Sequence, residues 1–398
     1  MKEGWTYKKL GEICRIERGG SPRPIKAFIT NDTNGLNWIK IGDTDPQGKY
    51  IYSTKEKIRP EGLKKSRWVE ENEFLLSNSM SFGRPYVLKT NGCIHDGWLV
   101  LRDYQESLNT DFFYYLLISP TVQRQFKTKA QGSTVSNLNT DRVAGVNVLF
   151  PTIEKQLSIV ARLDAAFAHI DSLKANAEKQ LAEARQLFQA ELTECMRPKE
   201  GWEEKIFGDN CEVTDYVANG SFATLRENVK YYNEPNYAIL VRLADYSSDF
   251  DKDKFVYVDK HAYHFLSKSS LKPGDIIMSN VGSIGKCFIC PDLGQPMTIG
   301  PNSVLIKTPN NPFYLHYFRS GLFMDKLLKI TNQATLSKFN KTQLRNMKVV
   351  VPPLSVQQSI VSRLDALSAN IKKLEEVQRK TLAECDALKQ AMLREVFE

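Results

Sequence analysis

Basic, amide and hydroxyl side chains recur at matched places in this chain, beside short apolar runs. Lys40 and Asp43 follow one such run, and Arg242 and Asp245 follow another with the same spacing. Lysine and arginine can bind phosphates, and amides, hydroxyls and carboxylates can pair with base edges. A solvated loop position explains each residue equally well when it is taken alone. The candidate nucleic-acid-binding residues are Lys40, Asp43, Asn78, Ser79, Ser81, Arg84, Ser133, Thr134, Arg242, Asp245, Asn280, Ser283, Lys286, Thr335 and Lys338.

Patterns typical of catalysis or metal binding are incomplete. GSIGKC resembles a phosphate-binding loop, but Asn280 stands where the first glycine of GxxxxGK belongs and Cys287 replaces the Ser or Thr that binds Mg²⁺. A turn between two strands explains this segment. Cys287 and Cys290 have no second CxxC or HxxxH pair to complete a tetrahedral zinc site. We therefore expect no catalytic residue, no metal site and no cofactor bound by this chain.

Composition indicates a globular chain. Its 398 residues, 42% hydrophobic and 25% charged, are enough for two or three domains that each bury a core. No basic stretch followed by an apolar run suggests export, and no apolar run reaches the roughly 18 residues of a membrane span. Seven cysteines, an odd number in a long chain, favour reduced thiols. We expect a cytoplasmic protein with no membrane partner.

An internal repeat organises the candidate residues. An offset of 201 positions aligns LSIVARLDAA with QSIVSRLDAL, and 22 of the 49 residues at 148–196 are identical at 349–397. Upstream of these segments the order of motifs persists but gaps are needed. The chain therefore consists of two copies of one unit, each a divergent module followed by a well-matched tail.

The modules have a mixed pattern. Short β-like runs, WIKIGD, EFLLS and WLVLR in the first and ILVRLAD, DIIMSN and SVLIK in the second, are separated by Gly, Pro, Asn and Ser turns. An aromatic helix is predicted at 110–118 and again at 312–319. The predicted fold is α/β (α+β), with two such modules in tandem.

The tails read as long helices whose apolar residues step by three and four positions, the spacing of a heptad seam. Ser355 and Gln358 have the form of a capping box at the second helix start. A stripe this long needs a partner, and the other copy provides one, so we expect the two helices to pack together as a coiled coil. The predicted seam residues are Leu157, Val160, Leu163, Phe167, Ile170, Ile360, Leu364, Leu367, Ile371 and Leu374.

Charge is unevenly distributed. Residues 1–150 carry 22 basic and 16 acidic side chains, and residues 201–351 carry 18 and 15. The tails are close to neutral, so the net charge of +8 lies in the modules. Two basic modules on a neutral spacer suggest that a polyanion, with DNA the leading candidate, is bound at two places.

The repeated VLFPTIEKQLSIVARLDA and VVVPPLSVQQSIVSRLDA, each closing a module that ends in GSTVSNLN or QATLSKFN, resemble the specificity subunit of a type I restriction-modification system. The resemblance covers essentially the whole chain. It departs from the family pattern where Lys155 and Val356 replace the glutamate that usually precedes the glutamine of the helix start.

The resemblance implies four segments: a target recognition domain at 1–150, a spacer helix at 151–197, a second recognition domain at 198–351 and a second spacer helix at 352–398. It also implies that the two spacer helices pack antiparallel as a coiled coil with pseudo-two-fold symmetry. It implies double-stranded DNA, two methyltransferase subunits and, through the complex, restriction subunits as partners. S-adenosylmethionine would be used by the methyltransferase, and ATP with Mg²⁺ by the restriction subunit.

Two other functions stay open at this point. A solitary methyltransferase or nuclease carrying a recognition domain is opposed by the lack of a [DN]PP[YF] loop and of a glycine-rich cofactor loop. A coiled-coil scaffold unrelated to DNA is consistent with the helices alone. A steep salt dependence of DNA binding would separate the scaffold from a recognition subunit.

Overall fold

The computed structural model describes residues 4–46, 48–78, 82–130, 137–331 and 338–398. The strands are β1 (Trp5–Lys9), β2 (Arg15–Arg18), β3 (Ile29–Thr30), β4 (Leu36–Ile39), β5 (Tyr50–Ile51), β6 (Glu56–Ile58), β7 (Arg67–Val69), β8 (Phe74–Ser77), β9 (Pro85–Leu88), β10 (Gly92–Ile94), β11 (Trp98–Arg102), β12 (Asn147–Pro151), β13 (Glu203–Ile206), β14 (Glu212–Asp215), β15 (Ala238–Val241), β16 (Tyr257–Val258), β17 (Ser270–Leu271), β18 (Ile276–Ser279), β19 (Cys287–Ile289), β20 (Met297–Ile299), β21 (Ser303–Lys307) and β22 (Lys348–Val351). The helices are α1 (Thr110–Ile118), α2 (Pro120–Ala130), α3 (Thr140–Ala144), α4 (Ile153–Met196), α5 (Phe207–Asn210), α6 (Phe222–Asn228), α7 (Leu243–Ser247), α8 (Lys260–Phe265), α9 (Asn311–Arg319), α10 (Gly321–Lys329), α11 (Lys341–Arg345) and α12 (Leu354–Phe397).

The chain forms two compact units. The first unit comprises Met1–Glu178 with Arg379–Glu398, and the second comprises Lys179–Gln378. Each unit therefore contains one module, part of α4 and part of α12. Within the described segments, no helix has both the length and the apolar character that crossing a membrane requires.

The first unit contains two five-stranded sheets, in the orders β3-β6-β4-β10-β7 and β2-β11-β8-β9-β5. Most neighbours are antiparallel, but β4 runs parallel to β10 and β5 runs parallel to β9. Strands β8 and β11 are buried almost throughout, which explains why the continuous apolar runs EFLLS and WLVLR read clearly as strands.

The second unit repeats this plan with four strands in each sheet, in the orders β14-β21-β18-β19 and β16-β15-β20-β17. Strands β15 and β20 are again the parallel pair. The fold is thus two tandem α/β modules of one design, as the repeat predicts.

A two-stranded sheet joins the start of each module to its end. Strand β1 pairs antiparallel with β12, and β13 pairs antiparallel with β22. The chain then enters a long helix, since α4 begins two residues after Pro151 and α12 begins three residues after Val351. The prediction of two long helices is confirmed.

The helix start in the second copy differs from the predicted capping box. Because α12 begins at Leu354, Ser355 already lies inside the helix. The backbone N–H of Gln357 donates to the carbonyl of Pro353, which closes the first turn. The interpretation of Ser355 as a cap was therefore wrong.

Segments of the two long helices run antiparallel within each unit. In the first unit, Lys174 pairs with Asp386 at 2.8 Å. In the second, Arg185 pairs with Glu375 at 2.7 Å. Apolar residues of both helices enter the cores: Val160, Leu163 and Leu393 in the first unit, and Leu192, Ile360 and Leu364 in the second.

Leu157 does not lie in the predicted seam. Its side chain is 50% exposed, whereas Gln156, one position earlier, is fully buried. One residue is a rotation of about 100° on a helix, so Gln156 takes the inward position at this turn and turns Leu157 towards solvent. The other predicted residues of the first stripe, Val160, Leu163, Phe167 and Ile170, are buried or partly buried.

Candidate nucleic-acid interface

Lys40 directly follows β4, and its backbone N–H helps to close the turn after that strand. Its N–H donates to Oδ2 of Asp43 at 2.8 Å, and a short 3₁₀ helix, Ile41–Asp43, follows. Nζ of Lys40 lies 2.6 Å from Oε1 of Glu56 on β6. Asp43 also accepts the N–H of Lys55 at 3.3 Å. The WIKIGD run is therefore a strand that ends in a carboxylate-capped turn, with a partly exposed ammonium group beside it.

Arg242 occupies the same place in the second module. Its N–H donates to Oδ2 of Asp245 at 2.7 Å, and its Nη2 donates to Oδ1 at 2.7 Å. Because Asp245 is buried and both its oxygens accept bonds from Arg242, it presents no free acceptor to a ligand. Its carboxylate fixes Arg242, and it ends the ILVRLAD strand by starting α7, so this burial disfavours a direct contact of Asp245 with DNA, which stays a prediction.

Asn78 is a buried residue among the candidate interface residues. It is buried, its amide nitrogen donates to the carbonyl of Asp96 at 2.9 Å, and its own carbonyl accepts the N–H of Leu138 at 2.9 Å. This burial contradicts a direct contact with DNA. Asn78 instead joins the end of β8 to the turn before β11 and to the chain that leads into α3.

Arg84 lies at the other end of the β8–β9 connection. Its N–H donates to Oγ of Ser77 at 3.1 Å, and its guanidinium carbon lies 5.4 Å from the ring centre of Tyr86. A cation over an aromatic face is stabilised by the ring quadrupole and keeps its outward N–H groups available. Arg84 is partly exposed and suited to contact an anion.

Lys286 is the counterpart of Arg84 in the second module. Its carbonyl accepts the N–H of Ser279 at 2.9 Å, and its Nζ lies 5.5 Å from the ring centre of Tyr246. Nζ also donates to Oγ of Ser247 at 3.2 Å. Since Tyr246 and Ser247 belong to α7, the structure brings Lys286 and Arg242 to the two ends of one short helix.

Asn280, Ser283 and Lys338 surround the same loop. Val281 forms a β-bridge with Lys338, and the amide nitrogen of Asn280 donates to the carbonyl of Phe339 at 3.3 Å. Oδ1 of Asn280 is buried without a hydrogen-bond partner. Ser283 and Lys338 are exposed. The GSIGKC segment is the predicted turn, between β18 and β19.

Five candidates cannot be placed, because they lie outside the described residues: Ser79, Ser81, Ser133, Thr134 and Thr335.

Sequence reasoning missed an open cavity of about 990 Å³ in the first unit. Lys40 lines it together with Arg23, His95 and Asp96, and Trp38 forms part of an apolar wall. The charged lining residues, which also include Lys26 and Glu56, come from four separate stretches of sequence, so spacing gave no signal. The weak signal was RGGSPRP, where a basic residue stands between two prolines.

The cysteines are unsuited to metal binding. All seven are free and buried, and among the described residues no group of three or more His, Cys, Asp or Glu side chains could hold a metal ion. Burial raises the pKa of Cys287 to about 11 and of Cys290 to about 12. Both thiols of the CxxC pair therefore stay protonated near neutral pH and are poor ligands.

A glutamine at the same place in both copies of the repeat makes hydrogen bonds at the start of each long helix. Nε2 of Gln156 donates to the carbonyls of Pro151 at 2.9 Å and Ser107 at 3.0 Å, and its Oε1 accepts the N–H of Asn109. Gln357 likewise donates to Pro352 at 2.9 Å. The glutamine itself makes these contacts, so the helix starts form although Lys155 and Val356 replace the usual glutamate.

Two tandem α/β modules, each closed by a two-stranded sheet and followed by a long helix, define a duplicated architecture. The chain belongs to the family of type I restriction modification DNA specificity domains, whose model matches residues 2–183 and 199–384. Members of this family are the specificity components of restriction-modification complexes, so the chain is a non-catalytic subunit that needs no cofactor of its own.

Relatives and solved structures agree with this assignment. The type I restriction enzyme EcoBI specificity subunit of Escherichia coli is 21% identical over all of this chain and 86% of its own length. The putative MjaX specificity subunit of Methanocaldococcus jannaschii is 29% identical over 52% of this chain and 49% of its own length. A chain from a solved type I R-M system superposes with a TM-score of 0.77 at 19% identity, covering 100% of this chain and 98% of that one. The HsdS subunit from Thermoanaerobacter tengcongensis superposes with a TM-score of 0.58 at 19% identity, covering 100% of this chain and 97% of that one.

Proposed function

We propose that this chain recognises an asymmetric, bipartite site in double-stranded DNA, with each module reading one half. The observation that carries the proposal is the repetition of one cationic arrangement in both modules. Lys40 and Arg242 each follow the parallel strand of a sheet, and an aspartate three residues later fixes each turn. Arg84 and Lys286 occupy the matching hairpin connections.

Differences between the modules support independent reading. The ammonium group of Lys40 pairs with Glu56, whereas the guanidinium group of Arg242 is held by Asp245. Lysine offers a point charge and arginine a planar fork of donors, so the two positions favour different partners on DNA. The net charges of +6 and +3 on the modules attract the phosphate backbone without specifying sequence.

The long helices would bind two methyltransferase subunits, one at each of two equivalent surfaces. Leu187 is 60% exposed, and Leu388, its equivalent in the repeat, is 51% exposed. Exposed leucines at matched positions are what a duplicated docking surface requires. Restriction subunits would join through this complex. S-adenosylmethionine would serve the methyltransferase subunits, and ATP with Mg²⁺ the restriction subunits, in the cytoplasm of a prokaryotic cell.

A salt-dependent binding assay tests the proposal. The chain is co-purified with its methyltransferase subunit, and the dissociation constant is measured by filter binding on a duplex containing its site and on a duplex with one half scrambled. We expect specific binding to be stronger by a factor of roughly 10³ or more, with log affinity falling steeply against log salt. A shallow salt slope with equal affinity for both duplexes would indicate a scaffold. Methyl transfer by the chain alone would indicate a solitary methyltransferase.

A further inference from the structure

Asp96 lies at the centre of a rigid cluster beside the cavity of the first unit. Its Oδ1 accepts the hydroxyl of Ser21 at 2.8 Å, and its N–H donates back to Oγ of Ser21 at 3.3 Å. Its carbonyl accepts the side chains of Asn78 at 2.9 Å and Arg18 at 3.3 Å. Each of these contacts links Asp96 to a different part of the module, so the carboxylate has a fixed position.

His95 contacts the same carboxylate oxygen that accepts the Ser21 hydroxyl. Its Nδ1 accepts the N–H of Gly97 at 2.8 Å, which places the ring proton on Nε2 in the neutral form. Nε2 lies 3.1 Å from Oδ1 of Asp96. Burial acts to raise the pKa of Asp96, but the Ser21 hydroxyl, His95 and Arg23 together hold that pKa below its usual value. Asp96 is therefore an anion at neutral pH.

The segment that precedes Arg23 packs closely against the turn that contains His95 and Asp96. Gly19 and Gly20 donate their N–H groups to the carbonyls of Trp98 at 2.9 Å and Ile94 at 3.1 Å. A Cβ at Gly19 would come within 2.2 Å of the carbonyl oxygen of His95, so only glycine permits the approach. Pro22 and Pro24 then restrict the backbone on both sides of Arg23.

Arg23 is mostly exposed and forms a long ion pair with Asp96. Its Nη2 lies 3.6 Å from Oδ2 of Asp96, while its side chain is 83% exposed. A guanidinium group has five N–H donors, and at 3.6 Å the contact with Asp96 is an ion pair rather than a hydrogen bond, so these donors stay available to a ligand. The guanidinium group lies at the cavity, whose lining also includes Lys40 and its ion-pair partner Glu56.

From this geometry we infer that Arg23 is a specificity-determining residue of the first module, oriented by Asp96 to read a guanine in the first half-site. This inference rests on the proposed function. Guanine presents two acceptors, O6 and N7, in the major groove, and they match two parallel N–H donors of an arginine. A pre-oriented guanidinium loses less side-chain freedom on binding than a free one. Asp96 acts as a positioning residue.

The test compares matched variants in the co-purified complex with its methyltransferase subunits. Methylation mapping and binding to site libraries are measured for wild type, Arg23→Gln, Arg23→Lys, Asp96→Asn and the control Arg59→Gln. Arg59 is exposed and outside the cavity lining, so its variant removes one charge without touching the cluster. We expect Arg23→Gln to lower the preference for guanine at one position of one half-site by roughly tenfold to a hundredfold. Asp96→Asn should give a smaller loss at the same position, and Arg59→Gln should leave every preference unchanged.

Two results would overturn the inference. One is a specific bipartite motif in the wild type whose preferences are all unchanged in Arg23→Gln and Arg23→Lys. The other is a uniform loss of affinity across all sequences with a shallower salt slope, which would assign Arg23 to a phosphate. A wild-type complex without any sequence motif would instead contradict the proposed function itself.

Discussion

Nε2 of His316 lies 2.7 Å from Oδ1 of Asp365, and the hydroxyl of Tyr115 donates to Asp164 at the position 201 residues earlier. The aspartate belongs to the repeated RLDA motif, and its partner lies on the aromatic helix, α1 or α9. Burial, followed by the adjacent Asp164, raises the pKa of Tyr115, so the phenol remains a donor. The motif is repeated because each copy holds a module to its helix through the same acceptor, although the donor has changed from Tyr to His.

Removing these donors should destabilise the unit that contains them. We expect Tyr115→Phe and His316→Phe each to lower the free energy of unfolding by about 1 kcal/mol, because a hydrogen bond to a carboxylate is lost. His316→Tyr should lose less than His316→Phe, since tyrosine is the donor in the first copy. Denaturant unfolding measures the effect, with Tyr7→Phe, at an exposed tyrosine, as the control. Equal stability of the two His316 variants would show that the bond to Asp365 contributes nothing.

The ion pairs between the long helices occupy equivalent positions with opposite charge. Lys174 corresponds to Glu375 and Arg185 to Asp386, so the first helix is basic at both positions and the second is acidic. Asp386 raises the pKa of Lys174, which stays charged. This reversal favours pairing the first helix with the second over pairing two copies of either one.

Exchanging the charges of Lys174 and Asp386 tests whether this ion pair favours pairing of the first long helix with the second. Lys174→Asp should lower the melting temperature slightly, because an exposed pair contributes about 0.2–1 kcal/mol and a repulsive contact replaces it. Lys174→Asp with Asp386→Lys should restore stability to near the wild-type value. Scanning calorimetry at low and high salt measures both variants. A double variant as unstable as the single one would show that the contact is not electrostatic.

The exposed leucines should determine how many methyltransferase subunits bind. We expect Leu187→Glu and Leu388→Glu each to reduce the complex from two methyltransferase subunits per chain to one, because a buried charge opposes docking. The double variant should bind neither. Size-exclusion chromatography with light scattering measures the ratio, and Tyr52→Glu, at an exposed residue of the first module, serves as the control. Two bound subunits in both single variants would refute a docking role for these positions.

Helix length should determine the spacing of the two half-sites. Four residues inserted after Glu178 and four after Gln378 leave the contacts within each unit intact, since the units divide there. Each helix gains about 6 Å and a rotation of about 40°, close to the advance along DNA of one or two base pairs. We expect the same half-sites with a gap longer by one or two base pairs in methylation maps. A two-residue insertion at both points, which rotates each helix by about 200°, should abolish binding; an unchanged gap or full activity would disprove the spacer role.

The sequence pattern of apolar and polar residues predicted strands and helices. Where a predicted boundary was wrong, a contact outside that pattern explains the difference. The WLVLR strand and the helix at 110–118 have the predicted bounds because continuous burial specifies them. ILVRLAD divides into β15 and α7 because Asp245 caps the turn at Arg242, a contact that alternation of apolar residues does not encode. The boundaries of the four functional segments remain a prediction.

The candidate site was only partly accessible to sequence reasoning. Lys40, Arg84, Arg242 and Lys286 could be selected because the two copies confirm each other. Arg23 and Asp96 could not, since 73 positions separate them and the second module has no matching pair at the same spacing. Asn78 and Asp245 were selected because they match Asn280 and Asp43 in the other copy, but the repeat does not reveal that both side chains are buried and hydrogen-bonded.

Exchange of the first module tests the central claim most directly. Residues 1–150 are replaced by the corresponding module of another family member, and genomic methylation is mapped in cells that also supply the methyltransferase subunit. If each module reads its own half-site, one half of the motif changes to the half-site of the family member that supplied the module, while the other half stays the same. Alteration of both halves, or of neither, would contradict independent recognition by the two modules.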